Sequence, residues 1–345
     1  MTGQGGRIRA LVVSWNGAHL LPACLGSLLA QSMAPELHLV VVDNASQDGT
    51  TELLRETYPM VEVITSTTNR GFAGGVALGM QDADEELVLL LNNDATLAPQ
   101  ALERMAAVLS APGNERVGAV TAKILLEGHF REQQDDGTPL PVGGFRQGTT
   151  VYVPVPADHP EAVRLVNSTG NLVSRDGAGV DRDWLAVDGT ECGGDDVMGF
   201  CGGAALLRRA AVEEVGGFDP ELFLYYEDTD LSWKLRTAGW SIRYEATAIA
   251  SHRHAASSDA GSALFRYYNT RNSLVVVGRH APLTMVLRSL LRQIGGWVAA
   301  WRRHESPATR AARGRGILDA VLRTPRTARE RRSIRRTKLG SQSSA

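Results

Sequence analysis

The sequence predicts an α/β fold in which a mostly parallel sheet is flanked by helices and followed by a basic, helical C-terminal extension. Through the first third of the 345 residues, short apolar segments alternate with segments of helical periodicity. Several apolar segments end abruptly on polar residues, and ligands bind at such carboxyl ends of parallel strands. The charge is also divided: residues 281–345 carry 15 Lys or Arg and 3 acids, whereas residues 1–280 carry 21 and 35.

The composition bounds the class of protein. With 43% hydrophobic and 21% charged side chains, a disordered or collagen-like chain is excluded. The three cysteines are scattered and form no CxxC pair, so we expect neither a disulfide framework nor a cysteine zinc site. We expect the protein to reside in a reducing compartment. The chain shows no signal-peptide pattern and no uninterrupted apolar run of about 20 residues. We therefore expect a cytoplasmic protein without a membrane span.

The elements of the first half follow one another as strand and helix. The predicted order is strand 8–14, helix 20–29, strand 37–42, helix 50–58, strand 61–65, helix 74–82, strand 87–91, helix 99–109 and strand 117–124. Buried apolar strands separated by helices indicate a parallel sheet covered on both faces. The polar residues that follow these strands are then expected to meet at one edge of the sheet.

The second half is less regular. Residues 126–160 are rich in Gly, Pro, Gln and Asp and are predicted as a partly irregular insertion. Beyond it, 197–207 leads into a helix over 209–215, and strand-like segments follow at 241–244 and 246–250. We take residues 1–280 as one domain and 281–345 as a basic amphipathic tail whose end is expected to be partly disordered.

Two polar clusters stand at predicted strand ends. Asn92, Asn93 and Asp94 follow strand 87–91, and a carboxylate there suits a hard divalent cation that completes its shell with substrate phosphates. Asp43 ends another apolar strand, where a nucleotide's base or ribose would find an acceptor. The alternative for Asn92–Asp94 is an ordinary loop that precedes a helix.

A glycine-rich link joins the third strand to the following helix. It contains Asn69, Arg70 and Gly71, and it could present backbone N–H groups and a helix N-terminus to an anion. The segment lacks both the GxGxxG spacing and the Lys-Ser/Thr ending of a P-loop, which disfavours dinucleotide and ATP-type sites. A tight turn without a ligand is the alternative.

The acids Glu227, Asp228 and Asp230 follow an aromatic run. Burial among aromatic rings and mutual repulsion raise the pKa of a carboxylate, which suits a general base. The alternative is that all three stabilise the N-terminus of the next helix.

Two histidines, His252 and His254, follow the predicted strand 246–250. One of them could be the second protein ligand of a metal that Asp94 binds. The alternative is a pair of surface histidines.

Taken together and in order, these segments resemble glycosyltransferase family 2, and within it the bacterial rhamnosyltransferase-like branch. The matching stretches are VVSWN (12–16), VVDNASQDGT (41–50), NRGFAGG (69–75), LLLNND (89–94), GGFDP (216–220), YEDTDL (226–231), GW (239–240) and His252. The resemblance implies a GT-A type nucleotide-binding fold, an inverting mechanism and Mg²⁺ or Mn²⁺. It also implies a dTDP- or UDP-sugar donor carrying L-rhamnose, another deoxysugar or galactofuranose. The acceptor would be a glycan, a lipid-linked or a small-molecule hydroxyl compound.

The resemblance also assigns roles to residues of this chain. Asp228 would be the catalytic base, Glu227 would shape the acceptor side, and Asp94 and His252 would hold the metal. The donor-binding residues would be Ser14, Asn16, Asp43, Asn69, Arg70, Gly71, Asn92 and Asn93. Many family members carry a second acid in the segment that reads Asn92-Asn93-Asp94 here. Weak metal binding in the absence of donor is therefore expected.

The tail has a stripe of apolar residues at helical spacing between residues 283 and 301. Arg288, Arg292, Arg302 and Arg303 flank it, a pattern typical of a helix that lies on an anionic membrane, here the inner face of the plasma membrane. The alternative is a helix docked on the acidic body. No nucleic-acid module is recognisable, so no nucleic-acid partner is expected.

Two other functions remain open. A nucleotidyltransferase would share the nucleotide-binding sheet and the metal, but the basic phosphate-gripping loop that it requires is missing near the N-terminus. A non-catalytic protein that binds nucleotide sugars would explain all the motifs except the presence of both Asp228 and His252.

Overall fold

The computed structural model describes residues 8–253 and 262–342, and of residues 335–342 only the backbone. The strands are β1 (Ile8–Ser14), β2 (Leu37–Asp43), β3 (Glu62–Thr65), β4 (Leu87–Leu91), β5 (Ala95–Leu97), β6 (Val117–Leu126), β7 (His129–Gln134), β8 (Phe145–Gln147), β9 (Thr150–Val155), β10 (Val166–Ser168), β11 (Asn171–Val173), β12 (Gly179–Asp181), β13 (Ala204–Arg208) and β14 (Ser241–His252). The α-helices are α1 (Leu21–Leu29), α2 (Thr50–Thr57), α3 (Gly71–Gly79), α4 (Ala101–Ser110), α5 (Arg209–Glu214), α6 (Glu227–Thr237), α7 (Ala263–His280), α8 (Leu283–Arg302), α9 (Pro307–Leu322) and α10 (Thr324–Gln342).

The first half of the main sheet is parallel, as the strand and helix order predicts. Its strands lie in the order β3-β2-β1-β4, with Ser14 opposite Asp43 and Ile8 opposite Leu87. Every residue of β4 is buried, which explains its uninterrupted run of Leu and Val. The register places the carboxyl ends of β1, β2 and β4 at one edge, where the polar clusters begin.

The second half of the sheet is mixed. β13 runs antiparallel between β4 and β6, β14 is parallel to β6, and the short β5 is antiparallel to β14. The β14–β5 register sets His252 opposite Ala95. This pairing brings the end of β14 beside the turn that contains Asp94, although 158 residues separate the two side chains.

Three elements differ from the sequence prediction. Residues 129–155 form a three-stranded antiparallel sheet, β7-β9-β8, whose short and mostly polar strands leave only a small apolar cluster around Phe130 and Tyr152. Helix α3 begins at Gly71, earlier than predicted. The two strand-like segments near residue 245 are one strand, β14, with an irregularity in its pairing between Glu245 and Ile249.

Ion pairs join the tail helices to the body. Arg279 of α7, in the body, contacts Glu330 of α10 at 2.8 Å, and also Asp219 and Asp230 of the body at 2.5 and 3.1 Å. Arg323 adds a contact with Glu221 at 2.6 Å. Helix α10 continues to Gln342, where partial disorder was expected. Within residues 8–253 and 262–342, no helix combines the length and apolarity that crossing a membrane requires.

Candidate functional site

One cavity of about 490 Å³ opens at the carboxyl-end edge of the sheet. Eight of the twelve predicted site residues line it: Asn69, Gly71, Asn92, Asn93, Asp94, Glu227, Asp228 and His252. Aromatic and aliphatic side chains form much of the remaining wall: Trp15, Phe72, Phe223, Leu224, Tyr225, Leu264 and Phe265. The site therefore combines a polar floor with an apolar wall.

Asp94 and His252 face each other in this cavity. The distance from His252 Nε2 to Asp94 Oδ1 is 3.0 Å, and His252 Nδ1 lies 2.7 Å from Asn167 Oδ1. Because an amide oxygen accepts a hydrogen bond, Nδ1 carries the hydrogen, which leaves Nε2 as the nitrogen that could bind a metal beside the carboxylate. A cation between the two would satisfy both, and Asn167 would orient the histidine as outer partners of metal ligands do. The donor set thus fits a divalent ion.

This pair would leave most of a metal's coordination shell open. Among the described residues, no group of three or more His, Cys, Asp or Glu side chains could hold a metal ion. Divalent cations such as Mg²⁺ commonly take one or two carboxylates and complete their shell with phosphate oxygens and water. Two protein ligands agree with the expectation of weak metal binding without donor.

Asp228 lies at the first turn of α6, inside the cavity. Its Oδ2 accepts from the Gly202 N–H at 3.1 Å and its Oδ1 from the Thr229 N–H at 2.6 Å. Burial raises the pKa of Asp228, and the hydrogen bonds from Gly202, Asn171 and Thr229 oppose that effect. An oriented carboxylate with a raised pKa has the properties of a general base.

Glu227 lines the cavity beside Asp228 and is 7% exposed. Among the described residues, its Oε2 atom has no hydrogen-bond partner. Burial, and then the charge of Asp228, raise the pKa of Glu227 well above its usual range. Burial thus favours the neutral form of Glu227, in which the carboxylic acid can donate a hydrogen bond to a ligand.

A strained turn holds these acids in place. Phe223, Tyr225 and Tyr226 all have positive φ, at 65°, 67° and 72°, and such a conformation costs about 1–3 kcal/mol for each residue that is not glycine. The buried Asn272 of α7 compensates by donating through Nδ2 to the carbonyls of Leu222, Leu224 and Tyr225 at 2.8, 2.9 and 2.8 Å. The aromatic run is thereby bent so that α6 begins at the cavity.

The glycine-rich link lines the cavity next to the Phe223 turn. Asn44 donates to Asn69 Oδ1 at 3.1 Å and to the Gly71 carbonyl at 2.9 Å. Gly71 has a φ of +67°, and a Cβ atom there would lie 2.2 Å from the Phe223 carbonyl oxygen. Only glycine allows the link to approach the Phe223 turn this closely.

Comparison with known proteins identifies the family. Residues 10–163 match the family model Glycosyl transferase family 2. The chain carries a family 2 glycosyltransferase domain. The family, its rhamnosyltransferase-like branch and the enzyme class that the sequence predicts are confirmed.

Two curated relatives of this glycosyltransferase are rhamnosyltransferases. It is 26% identical over 304 residues to an N-acetylglucosaminyl-diphospho-decaprenol L-rhamnosyltransferase of Mycobacterium tuberculosis, covering 81% of this chain and 89% of the relative. It is 22% identical over 251 residues to the O-antigen chain rhamnosyltransferase RfbN of Salmonella typhimurium, covering 72% and 67%.

A solved structure shares the fold of this glycosyltransferase. The mannosyltransferase PcManGT from Pyrobaculum calidifontis, in complex with GDP-Man and Mn²⁺, superposes with a TM-score of 0.51 at 18% identity, covering 97% of this chain and 86% of that one. The predicted GT-A fold is confirmed.

Four predicted residues of the glycosyltransferase lie next to the cavity rather than in its wall. Asp43 is 1% exposed, and its carboxylate accepts from the Ser46 N–H at 3.0 Å and from the Thr51 hydroxyl. Ser14 is buried against Asn93. Asn16 and Arg70 are exposed, and their side chains hold the neighbouring loops through Gln47 and Ser66.

Asp230 of the glycosyltransferase lies between α6 and α7 rather than in the wall of the cavity. It is 1% exposed and contacts Lys234, Arg279 and His280 at 2.9, 3.1 and 2.8 Å. Burial alone would raise the pKa of Asp230, but these partners hold it well below the usual range. These contacts give Asp230 a structural role. His254 lies outside the described residues.

Sequence reasoning missed the floor of the cavity. Asn167 orients His252 through a hydrogen bond. Asn171 forms a hydrogen bond with Asp228. Asp181 also lines the cavity. Burial, and then the Asp228 charge, raise the pKa of Asp181 to about 6, while a contact with Ser168 opposes the rise. These residues stand on β10, β11 and β12, three-residue strands without an apolar run, so no sequence pattern marks them.

Proposed function

We propose that the enzyme transfers a sugar, with inversion, from a nucleoside-diphosphate donor to a hydroxyl group of an acceptor. The observation that carries the proposal is the convergence of Asp228, Asp94 and His252 on one cavity. A base and a pair of metal ligands in one site fit the deprotonation of a hydroxyl and the departure of a diphosphate.

The donor would lie along the edge of the parallel strands. Asn69 and Gly71 would close over the nucleotide, Asn92 and Asn93 would face the ribose or sugar, and Asp43 would hold the base or ribose through the loop that it orders. Ser14, Asn16 and Arg70 would support this half of the site. Mg²⁺ or Mn²⁺ held by Asp94 and His252 would neutralise the charge of the leaving diphosphate.

The acceptor hydroxyl would approach Asp228. The Gly202 and Thr229 N–H groups fix the carboxylate, so its free lone pairs are directed before the acceptor arrives. Asp228 would take the hydroxyl proton as the acceptor oxygen attacks the anomeric carbon from the face opposite the diphosphate, and one such displacement inverts that carbon. Glu227, protonated, would donate a hydrogen bond on the acceptor side.

The relatives suggest the sugar and the acceptor. Because the mycobacterial and Salmonella relatives described above are named rhamnosyltransferases, we assign L-rhamnose as the sugar and dTDP as its carrier. Because the mycobacterial relative is named for a diphospho-decaprenol acceptor, we assign a lipid-linked glycan as the acceptor. The reaction then takes place in the cytoplasm, at the inner face of the plasma membrane. UDP-galactofuranose, other deoxysugar donors and soluble acceptors are the competing outcomes.

A donor panel tests the proposal. The protein is mixed with Mn²⁺ and each of dTDP-rhamnose, UDP-galactofuranose and UDP-glucose, and thermal stability is measured, since a bound ligand raises it. Release of nucleoside diphosphate is then followed with and without a lipid-linked acceptor. We expect stabilisation and acceptor-dependent release with dTDP-rhamnose. Release of pyrophosphate would identify a nucleotidyltransferase, and binding without release would identify a non-catalytic nucleotide-sugar binding protein.

The role of Asp228 is tested by Asp228→Asn. Transfer should fall by about a hundredfold or more, because the amide cannot accept the proton, and donor affinity should stay within about threefold. The matched control is Asp84→Asn at an exposed carboxylate, which should leave both unchanged. Loss of donor binding together with transfer would contradict the assignment of Asp228 as the base.

A further inference from the structure

Helix α8 carries an exposed apolar stripe on one face. The stripe consists of Leu283, Leu287, Leu291, Ile294, Val298 and Trp301, which are 39–76% exposed. Their spacing of three and four residues places all six on the same side of the helix. The opposite side of α8 packs on the protein through the buried Ser289, Gln293 and Ala300. Large exposed apolar patches of this kind mark interaction sites.

Arginine residues border the stripe. Arg288 and Arg302 lie along one edge of it, and Arg303 follows at the end of the helix, all three exposed. Helix α8 contains no acidic residue. An apolar face with cationic flanks matches the surface of an anionic lipid bilayer.

A second copy of the chain fits this face less well. Pairing two stripes would bring the arginine-bordered edges of two α8 helices together without a carboxylate on either helix to neutralise them. Like charges at the edges of a helix pair oppose association. An anionic bilayer supplies the missing negative charge.

The stripe leads toward the mouth of the cavity. Helices α7 and α8 pack together and are joined by residues 281–282, so they run in opposite directions and the Trp301 end of α8 lies beside the start of α7. The charge of Arg266 on α7 acts on Glu305, just after α8, which supports this proximity. Leu264 and Phe265, in the first turn of α7, line the cavity, and Leu264 is 50% exposed.

We infer that the apolar stripe of α8 docks on an anionic lipid bilayer and sets the mouth of the catalytic cavity at the membrane surface. A lipid-linked acceptor then reaches Asp228 past Leu264 and Phe265 without leaving the bilayer. The inference deepens the proposed function, since it names the surface from which that acceptor is drawn.

Vesicle flotation tests the inference. The full chain is floated with vesicles of phosphatidylcholine alone and of phosphatidylcholine mixed equally with phosphatidylglycerol. Co-flotation is expected with the anionic vesicles only. The double variant Leu287→Gln, Leu291→Gln should lower the bound fraction about tenfold or more, because two apolar anchors are lost. The matched control is Met60→Gln, at a residue of the body that is 59% exposed, which should float like the unaltered protein.

Three outcomes overturn the inference. They are absence of co-flotation by the unaltered chain, undiminished flotation of the double variant, and a stripe-dependent dimer in light scattering that does not bind vesicles. The proposed function is measured separately, by nucleoside-diphosphate release with a water-soluble acceptor and no vesicles. Both Leu→Gln changes should leave that release unchanged. Flotation without transfer would refute the proposed function alone, and transfer without flotation would refute only the inference.

Discussion

Asp181→Asn is expected to stabilise the protein at neutral pH. The pKa of Asp181 rises from 3.8 to about 6 on folding, first because of burial and then because of the Asp228 charge. A difference of about two pKa units between the folded and unfolded states corresponds to about 3 kcal/mol. The asparagine carries no charge at any pH and keeps the shape of the side chain and an oxygen for Ser168.

The sign of the pH dependence follows from which state releases its proton first. Below about pH 4, Asp181 is protonated in both the folded and the unfolded state and does not lower the free energy of unfolding. As the pH rises toward 6, Asp181 ionises in the unfolded chain before it does so in the folded protein. The free energy of unfolding therefore falls by about 1.4 kcal/mol for each pH unit. Above about pH 6 the free energy of unfolding falls no further on account of Asp181. The variant is then more stable than the unaltered protein by about 3 kcal/mol.

Urea denaturation at several pH values measures this difference. Near pH 4.5 the two free energies of unfolding should approach each other, and near pH 8 the variant should be more stable by about 3 kcal/mol. Asp158→Asn, at an exposed carboxylate, is the control and should show no such pH dependence. Equal stability at both pH values, or a variant that is less stable near pH 8, would refute the reasoning.

Three further changes address the rest of the site. Asn272→Ala removes the donor that holds the Phe223 turn; stability in urea should fall by about 1–3 kcal/mol, and kcat should fall more than donor affinity. Gly71→Ala places a Cβ against the Phe223 carbonyl at positive φ, and should cost about 1–3 kcal/mol and weaken donor binding measured by calorimetry. For His252→Ala, the Mn²⁺ concentration at half-maximal rate should rise about tenfold or more, while full activity in excess EDTA would contradict a metal at this site.

The parallel half of the sheet could be predicted because its strands are buried on both faces. The runs in β1, β2 and β4 are almost continuously apolar, and each stops where the chain reaches the cavity. The insertion at 126–160 could not be predicted in the same way. Its strands β7 and β9 are partly exposed and its third strand has only three residues, so their periodicity is too short to distinguish from loop.

The candidate site was only partly visible in the sequence for a different reason. Asp94 and Asp228 stand beside recognisable apolar or aromatic runs, and the family resemblance singles them out. Asn272 lies inside a helix and Asp181 in a short polar strand, where nothing local indicates a role. Their importance arises from contacts with segments about 50 residues away, Leu222–Tyr225 for Asn272 and Asp228 for Asp181.

The sequence left two alternatives for the basic tail, contact with an anionic membrane or docking on the acidic body, and the structure leaves room for both. At the junction of α9 and α10, Arg323 contacts Asp219 and Glu221 of the body and Arg326 contacts Glu221, so this part of the basic tail is neutralised by the body. The exposed arginines of α8 stand beside apolar side chains that the body leaves uncovered. A helix that packs on the body with one side and is exposed on the other can bring a membrane contact close to the cavity. This coupling is why substitutions on the α8 stripe are expected to affect transfer to a lipid-linked acceptor and to spare transfer to a soluble one.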